Sequence, residues 1–362
     1  MSRIESSMAP AKNLADGGAE KAMERQPLKR ALLIGSSYGG LPGTENDVNT
    51  MVRILKRYGF DSTKDITKLC GRDATRHNIL TEWNRLTTET IQIGDTVVIY
   101  YSGHGGLAEP PHDSSKNFDQ EPNRIQFLVP YDFDDKMEHW NGILDAELSL
   151  LLLKTTARTA NVTYILDCCH SARLGRAPNG SHQPQAKVLK FNYELILDHM
   201  KQLRNEKKLL ESEFWINPDV VRIAAAGDRE AAWQHRNASG QDVGIMTEKL
   251  DALMNGPGSQ LSWRSVMLGI KALVELEFPN DKDSQQPRSA GADMRIPFSL
   301  IRRSSRALIA LVGDEYTLIE GGAVHGIEKG DEFTLIPFRS QEDAESTAPT
   351  DTQVSFDTAK TA

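Results

Sequence analysis

The sequence predicts an α/β protein with a mostly parallel sheet flanked by helices, followed by a small C-terminal β module. From Lys29 onward, short apolar runs of strand length alternate with stretches of helical periodicity. After Arg306 the pattern changes to short strand-like runs separated by glycines. Strands that alternate with helices are typical of an α/β fold with a mostly parallel sheet. A chain of 362 residues is long enough to bury a sizeable core.

The individual elements follow from local patterns. Val48, Met51 and Leu55 recur at helical spacing, and Thr75 can cap a second helix that runs to about residue 91. Further helices are predicted from DAELSLLLLKT, from the charged stretch YELILDHMKQLRNEKKLLESEF, and from residues 244–253 and 262–277. The runs that predict strands of the sheet are ALLIG, DITKLC, GDTVVIYYS, IQFLVPYD, NVTYILD and VVRIAAAG.

Composition along the chain suggests four regions. Residues 1–27 are small, polar and aperiodic, which predicts a disordered segment. Residues 28–298 form the main domain, with a polar linker or insertion at 173–217. Residues 299–338 carry the β module, and the low-complexity tail at 339–362 is predicted to be disordered.

Charge and apolar content exclude several classes of protein. The net charge of −8 argues against nucleic acid or an anionic membrane surface as the main partner. No apolar run approaches the ~20 residues that a membrane-spanning helix needs. The N-terminal stretch lacks the apolar region of a secretory signal, and its acidic residues count against a transit peptide. Three cysteines, two of them adjacent, are not a disulfide framework, so a reducing, cytoplasmic setting fits best.

The stretch DCCHSA at residues 167–172 directly follows an apolar strand pattern and raises several possibilities. A cysteine at a strand end is often only a small buried side chain. A zinc site is disfavoured because adjacent residues on an extended chain point to opposite faces, and zinc-binding cysteines are normally spaced C-x₂₋₄-C. A dinucleotide-binding loop is excluded because Gly35, Gly39 and Gly40 do not make the G-x-G-x-x-G pattern.

A more specific hypothesis is that one of the two adjacent cysteines is a catalytic nucleophile. His104 and the two cysteines each follow a predicted strand, and ligands of open α/β sheets bind beyond the carboxyl ends of the strands. A cysteine thiol needs a neighbouring base or cation to act as a thiolate. The glycines around His104 would leave the backbone open to a substrate carbonyl, and backbone N–H groups there could stabilise an oxyanion.

The two motifs YYSGHGG and DCCHSA together resemble those of the caspase-like cysteine proteases, and most closely the metacaspases and related fungal caspase-domain proteins. The opening ALLIGSSYGGLPGTENDVNTMVRILKRYGF is similar to the first strand and helix of that family. VVRIAAAGDREAAW, GIMTEKLDALM and QQPRSAGADMRIPF are similar to its smaller-subunit segment. The resemblance covers residues 29–298 and implies a caspase-like peptidase domain that needs no cofactor for its chemistry.

The resemblance assigns roles to individual residues. It implies that Cys169, the third residue of its motif, is the nucleophile and that His104 is the general acid/base. It implies an oxyanion hole formed by the N–H groups of Gly105 and Cys169. Period-two alternation agrees with this choice of cysteine, because Asp167 and Cys169 would share one face while Cys168 would turn into the sheet packing.

Substrate preference is implied by carboxylates. The metacaspase pocket for P1, the residue before the cleaved bond, is acidic and takes Arg or Lys. Its positions correspond here to Asp47, Asp167, Ser102 and Thr44. Two simpler alternatives remain open: Thr44 and Asp47 have capping-box spacing, and Asp167 could merely hold its loop by accepting backbone hydrogen bonds.

Two segments depart from the Ca²⁺-dependent members of the family. Ile125 and Ala146 stand where the family pattern has aspartates, and Arg176 replaces another. A hard cation needs several oxygen ligands, so the calcium site is expected to be absent or rebuilt.

Two function hypotheses result. The first is a cysteine endopeptidase that acts on protein or peptide substrates with a basic P1 residue. The second is a catalytically inactive caspase-like regulatory or scaffold protein. Under the first, the exposed, basic linker is expected to be cut by the enzyme itself, most readily between Arg173 and Lys190, with little or no need for Ca²⁺. The alternative is that this linker is a solvated insertion that never enters the active site.

Overall fold

The structure is a computed structural model and describes most of the main domain. The described residues are 25–111, 121–134, 140–168, 185–206, 209, 217–227, 230–255, 261–278 and 285–303, with four short strands after them. Cys169 and His170 lie outside the described residues, as do residues 1–24 of the segment predicted to be disordered. Arg25, just inside, donates to the Asp95 carboxylate at 2.7 Å.

The elements of the main domain follow the order that the sequence predicts. The strands are β1 (Lys29–Gly35), β2 (Ile66–Cys70), β3 (Thr96–Ser102), β4 (Gly105–Ala108), β5 (Ile125–Leu128), β6 (Ile143–Leu144), β7 (Asn161–Asp167), β8 (Gln185–Ala186), β9 (Val188–Lys190), β10 (Val220–Ala224), β11 (Trp233–Arg236), β12 (Asp242–Gly244) and β13 (Arg288–Gly291). The helices are α1 (Thr44–Arg57), α2 (Arg76–Arg85), α3 (Asp145–Thr156), α4 (Tyr193–Asn205), α5 (Ile245–Met254) and α6 (Trp263–Glu275).

The main sheet has six strands in the order β13-β10-β7-β3-β1-β2. All neighbouring pairs are parallel except β10 and β13, which are antiparallel. The prediction of a mostly parallel sheet flanked by helices is therefore confirmed. Because β3 and β7 are neighbours, the chain segments that follow them leave the same edge of the sheet.

Apolar clusters on both faces of the sheet fix the helices. On one face α1, α5 and α6 pack through buried side chains such as Met51, Leu250 and Trp263. On the other face α2 and α3 pack through Trp83 and Leu151. The predicted cap of α2 is present, since the Thr75 hydroxyl accepts from the Asn78 N–H. The helix ends earlier than predicted, at Arg85, and a π-helical turn (Leu86–Thr90) continues it.

Two small sheets stand at the edge where β3 and β7 end. One has the order β6-β5-β4-β9 and the other β12-β11-β8. The sequence did not predict β4, because only two residues separate it from β3 and the glycines there indicate the end of a strand. A third apolar cluster joins this region to α4, with Phe127, Phe133 and Trp140 on one side and Tyr193 and Ile196 on the other.

Beyond the main domain the structure describes four strands: β14 (Ala310–Val312), β15 (Thr317–Ile319), β16 (Glu332–Thr334) and β17 (Gln353–Ser355). β14 pairs antiparallel with β15, and β16 with β17. The strand β17 lies within the segment 339–362, whose disorder stays a prediction.

Candidate active site

The ends of β3 and β7 bring Ser102, His104 and Asp167 of the predicted site together. The two strands pair in register, and their last residues, Ser102 and Asp167, lie opposite each other. His104 follows Ser102 after one glycine, and Cys168 follows Asp167 directly. The helix α1, which begins after the neighbouring strand β1, carries Asp47 to the same place, where its carboxylate accepts from the Ser102 hydroxyl at 2.7 Å.

A lysine from the predicted linker lies at the centre of this cluster. The ammonium group of Lys187 is 3.2 Å from Asp47 Oδ2, 3.0 Å from Asp167 Oδ1 and 3.1 Å from Ser102 Oγ. A further contact at 3.3 Å joins it to the backbone carbonyl of Asp167. The side chains of Lys187, Asp47 and Asp167 are all fully buried. A buried cation of this kind is stable only when opposite charges surround it, and here two carboxylates do so.

The start of α5 holds the second oxygen of each carboxylate. The Gly244 N–H donates to Asp47 Oδ1 at 2.7 Å, and the Thr247 hydroxyl donates to Asp167 Oδ2 at 2.5 Å. The Thr247 hydroxyl also shares a hydrogen bond of 2.7 Å with the hydroxyl of Tyr100. Every oxygen of the two carboxylates therefore has a partner within the protein.

The charges of the cluster depend on one another. Burial alone would lower the pKa of Lys187, but the charges of Asp167 and Asp47 outweigh it and raise that pKa well above its usual value. Burial raises the pKa of Asp47, and the Lys187 ammonium opposes that rise. Lys187 is therefore protonated, and its charge is what allows two buried carboxylates to stand so close together.

The backbone around Lys187 runs as an extended strand between the two small sheets. On its N-terminal side β8 pairs antiparallel with β11, and the Lys187 N–H donates to the Ala232 carbonyl at 2.9 Å. The Lys187 carbonyl accepts from the Gly105 N–H at 3.0 Å. On the C-terminal side β9 pairs parallel with β4, and the Phe191 N–H donates to the Leu107 carbonyl. Around Lys187 the linker is therefore not a solvated insertion, because its backbone is hydrogen-bonded on both sides of the candidate site.

His104 lies beside that carbonyl in a dry environment. Its side chain is buried, and burial together with the nearby Lys187 charge lowers the pKa of His104 to about 4, although a hydrogen bond to the Lys187 backbone opposes the shift. Its Nδ1 has no hydrogen-bond partner among the residues that the structure describes. Gly39, at φ 68°, leaves room for the ring, since a Cβ atom there would stand 3.2 Å from His104 Nε2.

The two cysteines have separate environments. Cys168 is buried and belongs to the apolar cluster on the α2–α3 face of the sheet, as strand alternation predicts. Cys169 lies outside the described residues, so its proposed role as nucleophile stays a prediction.

The structure distinguishes between the remaining alternatives for the predicted pocket. α1 begins at Thr44 itself, its N-cap is Gly43, and no side chain caps it, so Asp47 is not part of a capping box. Thr44 is buried at the start of the helix but takes part in none of the hydrogen bonds described for the Lys187 cluster.

Sequence reasoning missed the partners of the carboxylates, Gly244 and Thr247. It did not single out Lys187, which lies between Arg173 and Lys190 in the basic linker.

The two segments in which the sequence departs from the calcium-dependent family pattern are apolar or hydrogen-bonded to other groups. Ile125 belongs to the third apolar cluster, and Ala146 packs against that cluster. Glu147 accepts from the Arg76 guanidinium at 2.5 Å and 3.0 Å and from the Leu144 N–H at 3.0 Å. Among the described residues, no group of three or more His, Cys, Asp or Glu could hold a metal ion. The expected absence of a calcium site stays a prediction.

Comparisons with known proteins agree with the geometry. The sequence profile described as "Metacaspase, peptidase C14 domain" matches residues 29–178. Metacaspase-1 of Lodderomyces elongisporus is 29% identical over 272 residues, which is 71% of this chain and 52% of the relative. Metacaspase-5 of Trypanosoma cruzi is 33% identical over 289 residues, 75% of this chain and 60% of the relative. The chain thus spans about half to three-fifths of the length of these two relatives.

A structural comparison supports the fold alone. A crystal structure of a Geobacter sulfurreducens protein superposes with a TM-score of 0.51 at 19% identity, covering 76% of this chain and all of the other. In the described part of this chain, no helix is both long and apolar enough to cross a membrane. Sheet order, paired motifs, profile match and relatives agree: the chain has a caspase-like α/β fold, and its sequence is similar to the metacaspases.

Proposed function

We propose that this protein is a cysteine endopeptidase that cleaves after lysine or arginine, with Cys169 as nucleophile and His104 as general acid/base. One observation carries the proposal. Lys187 of the chain itself lies as a P1 residue would, with its side chain between Asp47 and Asp167 and its carbonyl at the Gly105 N–H.

The chemistry follows from the groups around that carbonyl. His104, neutral because burial lowers its pKa to about 4, takes the proton of the Cys169 thiol. The thiolate attacks the P1 carbonyl carbon, and the oxygen takes up the negative charge of the tetrahedral intermediate. The N–H groups of Gly105 and Cys169 donate to this oxygen.

The same imidazole completes the reaction. The imidazolium of His104 gives its proton to the leaving amine as the C–N bond breaks, which leaves an acyl-enzyme thioester on Cys169. His104 then takes a proton from a water molecule, and the resulting hydroxide attacks the thioester carbonyl. The C–S bond breaks to release the carboxylic acid product, and the His104 imidazolium returns its proton to the Cys169 thiolate, which restores the thiol. The buried Nδ1 of His104 lacks a described partner, which is consistent with a site completed by a group outside the described residues.

The substrate class follows from how Lys187 is held. A P1 cation is recognised by two buried carboxylates and the Ser102 hydroxyl. The residues before it are recognised through backbone hydrogen bonds to β11, which suits extended peptides and unfolded loops of proteins. A reducing compartment such as the cytoplasm would keep the thiol active.

The linker is itself the first substrate under this proposal. Lys187 lies in the basic stretch between Arg173 and Lys190, with its carbonyl at the Gly105 N–H and its ammonium at the acidic pair. The bond cut is therefore Lys187–Val188. Since Ile125, Ala146 and Glu147 are engaged in packing and in the Arg76 ion pair, we propose that no Ca²⁺ is needed.

A panel of peptides that differ only at P1 tests the function. The purified chain, preincubated so that the linker has been cut, should cleave Lys and Arg peptides and leave Asp and Leu peptides intact. Cys169→Ala should abolish cleavage. The matched control Cys168→Ala should retain most of it, because that side chain packs in the core.

Two outcomes would count against the proposal. Equal loss from both cysteine variants would contradict the assignment of the nucleophile. Absence of cleavage in every wild-type preparation would favour the inactive regulatory or scaffold protein instead.

A further inference from the structure

The acidic pair presents only two carboxylate oxygens to the P1 residue. Asp167 offers Oδ1 to the Lys187 ammonium, while its Oδ2 accepts from the Thr247 hydroxyl. Asp47 offers Oδ2, while its Oδ1 accepts from the Gly244 N–H. Each carboxylate thus meets the cation with a single oxygen, because the start of α5 already binds the other.

An ammonium group suits this arrangement. The four oxygens around the Lys187 ammonium stand at 3.0 to 3.3 Å and come from different groups, as a compact cation with three rotatable donors requires. The space behind the ammonium is closed by Gly244. A Cβ atom on Gly244 would lie 2.7 Å from Lys187 Nζ and 2.2 Å from Asp167 Oδ2.

A guanidinium group has different requirements. It is planar and longer than the lysine ammonium, and its strongest pairing uses two parallel N–H groups on the two oxygens of one carboxylate. At Asp47 and at Asp167, a bidentate guanidinium would have to share one oxygen with the Gly244 N–H or the Thr247 hydroxyl, which already donate to it. Gly244 also leaves little depth for the longer group.

We propose that this pocket selects lysine over arginine at P1, and that Gly244 and Thr247 are the residues that set this preference. Thr247 is a positioning residue, which acts by holding the carboxylate of Asp167. The inference rests on the proposed function for its substrate assay, but its stability assay does not require activity.

The substrate assay compares two peptides that are identical except for Lys or Arg at P1, with the preincubated wild-type chain. We expect kcat/KM for the Lys peptide to exceed that for the Arg peptide by about 10-fold. Equal values, or a preference for Arg, would overturn the inference while leaving the proposed function standing. Cleavage of neither peptide would count against the function.

Thr247→Val and Thr247→Ser form a matched pair. Valine removes the hydroxyl and frees Asp167 Oδ2 for a guanidinium, so the ratio of Lys to Arg kcat/KM should fall several-fold toward one. Serine keeps the hydroxyl and should restore most of the ratio. A purely structural role for Thr247 would lower both rates together and leave the ratio unchanged, which would overturn its part in selectivity.

The stability assay uses the Cys169→Ala chain, which cannot cut itself. Replacing Lys187 by Arg should lower the urea midpoint of unfolding, and adding Thr247→Val should shrink that loss. If the chain with Arg at position 187 is as stable as the chain with Lys, the pocket accommodates both cations and the inference fails, whatever the enzyme's activity.

Discussion

Removing the Lys187 ammonium should destabilise the intact chain far more than removal of an ordinary surface lysine. Lys187→Met keeps an unbranched side chain of similar size but leaves Asp47 and Asp167 buried together without a cation. Breaking a buried ion pair by removing one partner costs about 3–5 kcal/mol. We expect a loss of that size in the free energy of unfolding, which is a large part of the roughly 5–15 kcal/mol that holds a typical domain.

Lys201→Met is the matched control. Lys201 lies 2.8 Å from Glu121, but its side chain is 47% exposed. Exposed ion pairs of this kind contribute at most about 1 kcal/mol. Both variants would be made in the Cys169→Ala chain, so that self-cleavage does not interfere, and unfolded in urea at pH 7.

The pH dependence of Lys187→Met adds a second readout. Burial already raises the pKa of Asp47, and losing the cation raises it further. The folded variant would then bind a proton more readily than its unfolded chain, so its stability should increase as the pH falls below 7. A loss no larger than that of Lys201→Met, with no gain at lower pH, would refute the placement of Lys187 between the two carboxylates.

Two further predictions concern the site residues. His104 should stay neutral in the intact Cys169→Ala chain until the pH falls to about 4, as measured by NMR titration of its ring, and its pKa should rise in Lys187→Met because the lysine charge depresses it. Because of this lowered pKa, the folded state binds the proton less readily than the unfolded chain, so His104 lowers the stability of the fold as the pH falls from about 6.5 toward about 4. A ring that titrates near 6.5 in the intact chain would contradict the buried environment. Asp167→Asn should lower kcat/KM for Lys peptides at least about 10-fold more than for Leu peptides, and Asp47→Asn should do the same, whereas a loss of stability with unchanged P1 preference would contradict the pocket.

The sequence predicted the frame of the site because that frame depends on local patterns and chain order. Apolar runs ending at Ser102 and Asp167 indicated two strands, and their parallel pairing brings His104 and Cys168 to one edge of the sheet. The position of Asp47 in the first helix followed from the resemblance, and the structure joins it to Ser102 by a hydrogen bond.

The occupant of the pocket could not be predicted in this way. Lys187 stands in a polar stretch without periodicity, and a charged residue in such a stretch is ordinarily exposed. Its burial depends on two carboxylates, and one of them, Asp47 of α1, lies 140 residues away in the chain. Thr247 gave no signal either, because a threonine in the first turn of a helix is common and only the fold places it against Asp167.

The most direct test of the account is the mass of the purified chain after incubation, with added Ca²⁺ and with a chelator. The account predicts that the wild-type chain yields two fragments that meet at the Lys187–Val188 bond, in both conditions, while Cys169→Ala remains intact. N-terminal sequencing of the second fragment should begin at Val188. A wild-type chain that stays uncut, or that is cut only at other bonds, would contradict the claim that Lys187 is bound as a substrate; cutting that requires Ca²⁺ would contradict the proposed independence from calcium.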